Sequence, residues 1–486
     1  MDMLLALGFQ AAMATTDWEA QGRQALEAAK ARESIEGPAK NVILFIADGM
    51  DVTTSTAARI LDGQQKGGSG EENLLTFESL PFTGFAKTYN TNAQVPDSAG
   101  TATAMMTGFK TKAGVINVDE TVPVGDCEAS KGHELESLMR VAQRTGRASG
   151  VVSTARITHA TPATVYANAA SRNWEGDANV PEDADCADIA SQLIAAASEF
   201  DLWVAMGGGR RFFMTEEQAD PEYPTAKGAR QDGRDLTAEW EAISRRHKVV
   251  TGVQGFEGLG PRDKVLGLFE PSHMKFEHDR AKGQGAEPSL AQMTRFAIER
   301  LSRSRNGFFL MVEGGRVDHA HHGGNAYRAL VDTIAFDAAV ETALDLTDAA
   351  DTLVIVTADH GHTMAFGGYP QRGNPITGLV RSAARDGSPS DELTLASDAK
   401  PFTTLSYANG PGSVFAEETE GRPALTEEEV LDPGHRQQAL VPLYSETHGG
   451  QDVAVYARGP SAHYLTGVNE QTHIYYVMED VLTRRD

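Results

Sequence analysis

Residues 41–49 read NVILFIADG, an apolar run that ends in Asp48 and Gly49. An uninterrupted run of this kind, closed by turn-forming residues, is typical of a strand that is buried on both faces of a parallel sheet. Comparable runs recur at 148–153, 201–206, 307–312, 351–358 and 452–457, with helix-like stretches between them such as 290–303 and 327–347. Strands that alternate with helices predict an α/β fold, in which helices flank a large, mostly parallel central sheet on both faces.

The rest of the chain predicts one large domain preceded by an arm. We expect residues 1–35 to form the arm, with a helix in it, and residues 36–486 to form a single domain. Two stretches, about 210–289 and about 365–440, are rich in glycine, proline and acidic residues and read as insertions. At 1–14 a short apolar run lacks a positively charged start, so a signal remnant and a plain arm both remain open. No apolar stretch is long enough to span a bilayer.

The composition limits the classes of partner. With 41% hydrophobic and 23% charged residues, the 486-residue chain is typical of a soluble globular protein. Its formal net charge of -25 argues against nucleic acid as a specific partner and would repel phosphorylated substrates, unless bound metal ions supply local positive charge. The two cysteines, Cys127 and Cys186, lie outside any CxxC motif, and free thiols and a bridge are equally open.

Metal-competent side chains follow three of the apolar runs. Asp48, Glu313 and the pair Asp359-His360 each stand where a run ends. In open parallel sheets ligands bind beyond the carboxyl ends of the strands, so these side chains are expected to meet at one edge. A single aspartate there could equally be a turn or cap residue, but three such ends with histidines beside two of them favour a metal site. His362 adds another imidazole close by.

The segment 313–322, EGGRVDHAHH, is the richest in ligand types. Asp318 and His322 are spaced i, i+4, so one helical turn would place both on the same face, as two ligands of one ion require. Imidazole and carboxylate together suit zinc. The alternative is a solvated, histidine-rich loop.

Residues 95–104, VPDSAGTATA, predict a turn that leads into a helix of small residues. Ser98 would stand at the helix N-terminus, where free N–H groups and the helix dipole favour an anion. The alternative is that Asp97 or Ser98 only caps the helix. The chain has no GxSxG motif around this serine, so a nucleophilic Ser98 would need activation by a metal.

Taken together, these motifs resemble the alkaline phosphatase family. They are IADGM at 46–50, PDSAGTATA at 96–104, EGGRVDH at 313–319, TADH at 357–360 and ETHG at 446–449, and their order and spacing match over about 17–481. Gly100-Thr101, His159 and His319 are similar to the animal branch rather than to the enterobacterial enzymes. The resemblance implies hydrolysis of small phosphate monoesters of broad range, at alkaline pH, to an alcohol and inorganic phosphate.

The resemblance also implies a role for each site residue. Ser98 would form a covalent phosphoserine, Arg172 would clamp two phosphate oxygens, and two zinc ions and one magnesium ion would assist. The first zinc would be held by Asp318, His322 and His448, the second by Asp48, Asp359 and His360, and magnesium by Asp48, Thr161 and Glu313, with His159, His319 and His362 placed beside these ligands.

Further features follow from the resemblance. A calcium ion would bind on the first insertion through Glu222, the Phe269 carbonyl, Glu270 and Glu287, although Glu287 departs from the family's usual aspartate. Cys127 and Cys186 would form a disulfide. The protein would be a homodimer with the 365–440 insertion as a crown at the interface. With a disulfide and no C-terminal hydrophobic tail, it would be secreted, periplasmic or extracellular.

Three other interpretations compete with a phosphomonoesterase. A phosphodiesterase, phosphonate hydrolase or sulfatase of the same superfamily would share the fold, but no CxPxR-like motif surrounds Ser98 and the monoester ligand set is complete. A non-catalytic phosphate- or metal-binding protein would lack Ser98, Arg172 or a zinc ligand, and all are present. A structural surface protein that binds divalent ions would leave the ordered motifs unexplained.

Overall fold

A computed structural model describes residues 17–283, 287–415 and 421–484. The chain divides into two units, Met1–Ser34 and Ile35–Asp486. In the first unit, helix α1 (Trp18–Lys30) begins after Asp17, whose carboxylate caps it by accepting a hydrogen bond from the Ala20 N–H. The segment 1–14, for which a signal remnant remains open, lies outside the described residues.

The second unit is built around β-strands. In chain order they are β1 (Asn41–Ile46), β2 (Phe82–Lys87), β3 (Ala148–Arg156), β4 (Leu202–Gly208), β5 (His247–Val250), β6 (Lys264–Leu268), β7 (Phe308–Glu313), β8 (Thr352–Thr357), β9 (Gly361–His362), β10 (Met364–Phe366), β11 (Leu405–Gly410), β12 (Ala439–Pro442), β13 (His448–Gly449), β14 (Val453–Arg458) and β15 (Gly467–Glu470). Ten of them form one sheet in the order β15-β2-β14-β8-β1-β7-β3-β4-β6-β5.

The ten-stranded sheet is parallel except for one strand. β14 runs antiparallel to both of its neighbours, β2 and β8, whereas all other pairs are parallel. The prediction of a mostly parallel sheet is therefore confirmed. All six apolar runs form strands of this sheet, and β1, β7 and β8 are buried along their whole length.

Helices cover the sheet in two groups. In chain order they are α2 (Val52–Gln65), α3 (Ser98–Thr107), α4 (Cys127–Ser130), α5 (Leu138–Arg144), α6 (Ala160–Ala163), α7 (Ile189–Glu199), α8 (Leu236–Ile243), α9 (Glu277–Lys282), α10 (Leu290–Leu301), α11 (Arg316–His322), α12 (Ala326–Leu346), α13 (Glu427–Val430) and α14 (Thr472–Thr483). One group is α12 with α2, α10 and α11, and the other is α14 with α3 and α5. Both groups contact the central strands, whose complete burial requires cover on both faces. Among the described helices, none is long and apolar enough to cross a membrane.

The two predicted insertions differ in how they join the core. The segment at about 210–289 supplies β5 and β6, which extend the central sheet at one edge. In the segment at about 365–440, β10 and β11 belong with β12 to a separate three-stranded sheet. The first segment is thus continuous with the core through backbone hydrogen bonds, whereas the second has a small sheet of its own.

Cys127 and Cys186 are joined by a disulfide, as the resemblance implies. The bridge links the start of α4 to a loop 59 residues further along the chain. In the chain-entropy model, closing a loop of this length removes about 4 kcal/mol of conformational freedom from the unfolded chain. The bridge therefore stabilises the folded arrangement of α4 and the loop that contains Cys186.

Candidate active site

The carboxyl ends of the three central strands meet at one point. The register pairs Ile46 at the end of β1 with both Glu313 on β7 and Thr357 on β8. Asp48 stands just beyond β1, and Asp359 just beyond β8. The three predicted strand ends are thus brought together as parallel pairing requires, and the carboxylates Asp48, Glu313 and Asp359 are all completely buried.

Gly49 makes this close approach possible. Its φ of +80° lies in the left-handed region, and a Cβ atom there would stand 2.5 Å from the His362 ring. Any other residue would push the turn away from the imidazole. The Gly49 N–H donates a 3.0 Å hydrogen bond to Asp359 Oδ1, which ties the β1 turn to the β8 turn.

The first group of ligands, here called the serine cluster, consists of Asp48, Ser98, Asp359 and His360. His360 Nδ1 lies 3.2 Å from the Gly361 carbonyl, which can only accept, so Nδ1 carries the proton and Nε2 presents a lone pair. That Nε2 is 3.1 Å from Ser98 Oγ, 3.4 Å from Asp48 Oδ1 and 3.3 Å from Asp359 Oδ2. Four electron-rich atoms therefore converge, which is the arrangement that a cation stabilises.

Helix α3 positions Ser98 and leaves its hydroxyl free of capping. Asp97 is the N-cap, and its Oδ1 accepts from the Gly100 N–H at 3.0 Å. Ser98 is the first helical residue and is 2% exposed, so its Oγ faces the serine cluster at the positive end of the helix. Of the two sequence alternatives, Asp97 is the capping residue.

The second group, the histidine cluster, consists of Asp318, His322 and His448. Asp318 and His322 share one face of α11, as their spacing predicts, with Asp318 Oδ1 3.2 Å from His322 Nε2. His448 Nε2 is also 3.2 Å from Asp318 Oδ1 and only 3.1 Å from His322 Nε2. Each ring points its Nδ1 at a backbone carbonyl, at 2.6 Å and 2.8 Å, so both Nε2 lone pairs face inward. Two lone pairs and a carboxylate in this arrangement repel one another unless a cation lies between them.

His362 lies beside this cluster, between Asp318 and Glu446. Its Nδ1 is 2.6 Å from Glu446 Oε2 and its Nε2 is 3.0 Å from Asp318 Oδ1. Although burial alone lowers the pKa of His362, the hydrogen bonds to Asp318 and Glu446 raise it to about 10. With both ring nitrogens at hydrogen-bonding distance from carboxylates, His362 orients Asp318, and it also belongs to the group of Asp318, His360 and His448 whose ligand atoms lie within 4.8 Å of one another.

The third group, the oxygen cluster, consists of Asp48, Thr161 and Glu313. Ligand atoms of Asp48, Glu313 and His159 lie within 4.8 Å of one another. Burial raises the pKa of Glu313 to about 8, against the lowering effect of the nearby hydroxyls of Ser153 and Thr161. Burial and the neighbouring carboxylates also raise the pKa of Asp48 well above its ordinary value.

Several atoms of this cluster carry no hydrogen bond from the part of the chain that the structure describes: both oxygens of Asp48, Oε1 of Glu313, Oγ1 of Thr161 and Nδ1 of His159. Buried polar atoms without partners are costly. A hard cation bound by these oxygens would satisfy them together.

Arg172 stands beside the serine. Its Nη1 donates to Asp97 Oδ2 at 3.1 Å, and its Nη2 lies 3.3 Å from His159 Nε2. Asp97 thus caps α3 with one oxygen and orients the guanidinium with the other. His319 packs against His159, with ring centroids 5.4 Å apart, and against His273 at 4.0 Å.

Two functional residues escaped the sequence analysis. Glu446 was seen only as part of a motif, yet it bonds His362 with its carboxylate and His322 with its carbonyl. Its position two residues before His448 was the available signal. Lys275 gave no signal, because no spacing pattern predicts its contacts with Glu270, on the same stretch of chain, or with Glu287 and Tyr223.

The carboxylates expected to bind calcium lie beside cationic side chains. Glu270 and Glu287 face the ammonium group of Lys275, whereas Glu222 lies 3.4 Å from Arg210 Nη2. Within the described ranges, Glu222, Glu270 and Glu287 do not form a group of carboxylates close enough to share one ion. Phe269 is buried just beyond β6, where its N–H donates to the Gly207 carbonyl.

Comparisons with known proteins agree with this geometry. The family model for alkaline phosphatase matches residues 39–484. The tissue-nonspecific alkaline phosphatase of Gallus gallus is 44% identical over 474 residues, covering 95% of this chain and 88% of that protein. The Homo sapiens tissue-nonspecific isozyme is 42% identical, covering 95% and 87%.

Solved structures share the fold. Thermus thermophilus alkaline phosphatase superposes with a TM-score of 0.65 at 23% identity, covering 97% of this chain and 96% of that one. The enzyme of the Antarctic bacterium TAB5 gives a TM-score of 0.61 at 23% identity, covering 93% and 100%. The chain belongs to the alkaline phosphatase family and is a metal-dependent hydrolase of phosphate monoesters.

Proposed function

We propose that hydrolysis proceeds through a covalent phosphoserine on Ser98, with two zinc ions and one magnesium ion bound beside it. The observation that carries the proposal is the position of Ser98 Oγ. It lies at the N-terminus of α3 and 3.1 Å from Nε2 of His360, beside Asp48 and Asp359, and both oxygens of Asp48 and Oδ2 of Asp359 have no hydrogen-bond partner among the described residues.

The ligand chemistry supports an assignment for each ion. The histidine cluster and the serine cluster combine imidazole nitrogen with carboxylate oxygen, which is the ligand set that zinc prefers. The oxygen cluster offers two carboxylates and a hydroxyl, the hard ligands that magnesium prefers. Asp48 belongs to both the serine cluster and the oxygen cluster and would bridge their ions. His159 and His319 lie around the third site, and His362 orients Asp318.

The chain's own residues prepare the phosphoryl transfer. Asp97 takes over capping, so the Ser98 hydroxyl is free to attack phosphorus. Arg172 presents a planar fork for two phosphate oxygens while Asp97 holds it in place. The first N–H groups of α3 add partial positive charge at the same point. Ions held by Asp48, Asp359 and His360 and by Asp318, His322 and His448 would supply positive charge that lowers the pKa of Ser98 and of water and favours departure of the leaving oxygen. We do not extend the proposal to calcium, because Lys275 faces Glu270 and Glu287.

The test is hydrolysis of p-nitrophenyl phosphate at mildly alkaline pH after the metals are stripped with a chelator. We expect activity to return only when zinc and magnesium are both restored. A diester and a sulfate ester with the same leaving group serve as comparison substrates. Fast turnover of either, with no monoesterase activity in the fully loaded enzyme, would contradict the proposal.

We expect Arg172→Lys to weaken binding of inorganic phosphate. Lysine keeps the charge but lacks the two parallel N–H donors of the guanidinium group. A hydrogen bond to a charged group is worth about 1.5–3 kcal/mol, so the inhibition constant for phosphate should rise by about 10- to 100-fold. The exposed Arg140, replaced by lysine, is the matched control and should leave the inhibition constant unchanged. An unchanged constant in Arg172→Lys would remove Arg172 from the phosphate site.

We further infer that two copies of the chain associate. The edge strand β12 and the loop after it expose Leu440, Val441, Leu443 and Tyr444, and Phe415 is exposed as well. An edge strand with uncovered apolar and aromatic side chains is typical of an interface. Light scattering should give a molar mass twice that of the chain, and a mass of one chain would contradict the dimer.

We also propose that the protein is exported. The disulfide between Cys127 and Cys186 supports this, because such bridges persist in oxidising compartments. Fractionation of the native host should recover the enzyme from the medium or the periplasm. Recovery of all activity from the cytosol, with both cysteines reduced, would contradict export.

A further inference from the structure

A lysine occupies the place where the resemblance implies calcium. Lys275 Nζ lies 2.8 Å from Glu270 Oε1, 3.4 Å from Glu287 Oε2 and 3.3 Å from the Tyr223 hydroxyl. Its backbone N–H also donates to Glu287 Oε1 at 3.0 Å. Glu270 and Glu287 are 6% and 4% exposed, so the carboxylates are shielded from water, whereas the Lys275 side chain is 36% exposed.

The ammonium group connects three separate segments. Glu270 follows β6 at the edge of the central sheet, Glu287 precedes α10, and Tyr223 lies in the long loop between β4 and α8. A divalent cation with several oxygen ligands would make the same kind of connection. Lysine makes it with hydrogen bonds to Glu270 Oε1 and the Tyr223 hydroxyl and with its charge 3.4 Å from Glu287 Oε2.

The remaining carboxylate is held elsewhere. Glu222 lies 3.4 Å from Arg210 Nη2, and that guanidinium is buried and bonded to both oxygens of Asp220 at 2.8 Å. Arg210 also donates to the Leu268 carbonyl at 2.8 Å, at the end of β6. The region thus contains two cationic side chains for its acidic groups, and each acidic group expected to bind calcium faces one of them.

A calcium ion and this ammonium group exclude each other. Both would need the same Glu270 and Glu287 oxygens, and two cations within about 4 Å of each other repel. Although burial lowers the pKa of Lys275, the bond to Glu270 and the charge of Glu287 raise it above the ordinary value for lysine, which keeps the ammonium charged.

We propose that Lys275 serves as a built-in cation that replaces calcium, so that folding of the segment around β6 in this chain does not depend on calcium. A second consequence follows. Removing the ammonium would leave the two buried carboxylates unpaired and close together, and this pair would then recruit a divalent cation.

The test measures thermal unfolding and metal content, with zinc and magnesium present throughout in buffers freed of calcium. For the wild type, added calcium should leave the melting temperature unchanged, and no calcium should remain on the protein after gel filtration. Lys275→Met should melt at a lower temperature than the wild type without calcium, and added calcium should restore much of the loss. Lys282→Met, an exposed change in the same segment, should behave as the wild type.

Two outcomes would overturn the inference. One is a wild type that retains about one calcium ion per chain and melts at a higher temperature when calcium is added, a result that needs no variant to be folded. The other is a Lys275→Met protein that is as stable as the wild type and indifferent to calcium. Neither readout uses phosphate hydrolysis, so the inference and the proposed mechanism can fail separately.

Discussion

Ser98→Ala is expected to lower the turnover of p-nitrophenyl phosphate by more than about 10³-fold while zinc and magnesium stay bound. The ligand carboxylates and imidazoles remain in place in this variant, so only the nucleophile is lost. Water that reaches phosphorus directly would account for any residual rate. Turnover and metal content of the same sample are the measurements.

Ser55→Ala is the matched control for this change. Ser55 is also a buried helical serine, and its hydroxyl bonds only to the Asp51 carbonyl among the described residues. It should keep nearly full activity. Trapping adds a direct readout: acid quenching with labelled phosphate should place the label on the peptide that contains Ser98. Label elsewhere, or turnover within about tenfold of the wild type in Ser98→Ala, would exclude a phosphoserine on this residue.

Asp48→Asn is expected to have the second largest effect, because Asp48 lies in two clusters. The amide keeps the shape but loses the charge, so the serine cluster and the oxygen cluster should both lose affinity for their ions. Changing a residue that only hydrogen-bonds to a metal ligand lowers metal affinity by about 10- to 100-fold, or about 1.4–2.8 kcal/mol, and the loss here should be at least as large. Elemental analysis should show the zinc of the histidine cluster retained and the other two ions depleted. Turnover should fall with them, by more than about 10³-fold.

Asp332→Asn provides the comparison for Asp48→Asn. Asp332 is also a buried aspartate, and burial raises its pKa to about 8, so its carboxyl is mostly neutral below that pH and an amide imitates it. Its oxygens accept from the Glu277 N–H, and it belongs to none of the three clusters. Metal content should be unchanged in this variant. If Asp48→Asn kept all three ions, the bridging assignment would be wrong.

The sequence predicted the centre of the fold better than its edges. The runs that form β1, β7 and β8 are apolar throughout because both of their faces are buried. Such a run, closed by turn-forming residues, indicates a central strand of a parallel sheet. β2 was missed because its sequence, FTGFAK, contains no continuous apolar run. Its residues alternate between exposed and buried positions instead. β5 and β6 lie within a stretch whose glycine and acidic content reads as an insertion, although both extend the main sheet.

The site was predictable where local spacing fixes geometry. Asp318 and His322 follow from one helical turn, and Asp48, Glu313 and Asp359 follow from parallel strand ends. Arg172 and Thr161 entered only through the resemblance, because neither follows an apolar run. The contacts of Lys275 depend on which distant segments pack together, and no periodicity in a single sequence records that.

The reversed direction of β14 has a consequence for how the active site tolerates change. Because β14 runs against its neighbours, the residue that reaches the site, His448, precedes this strand instead of following it. His448 lies on β13, which pairs with β9 at His362, and its Nδ1 is 2.8 Å from the Pro96 carbonyl. The imidazole is therefore placed by this short ladder and by the direction in which the chain enters β14. The position of one ligand thus depends on strand pairing. A substitution in β14 that disturbs this pairing would lower activity without changing a ligand of the metal.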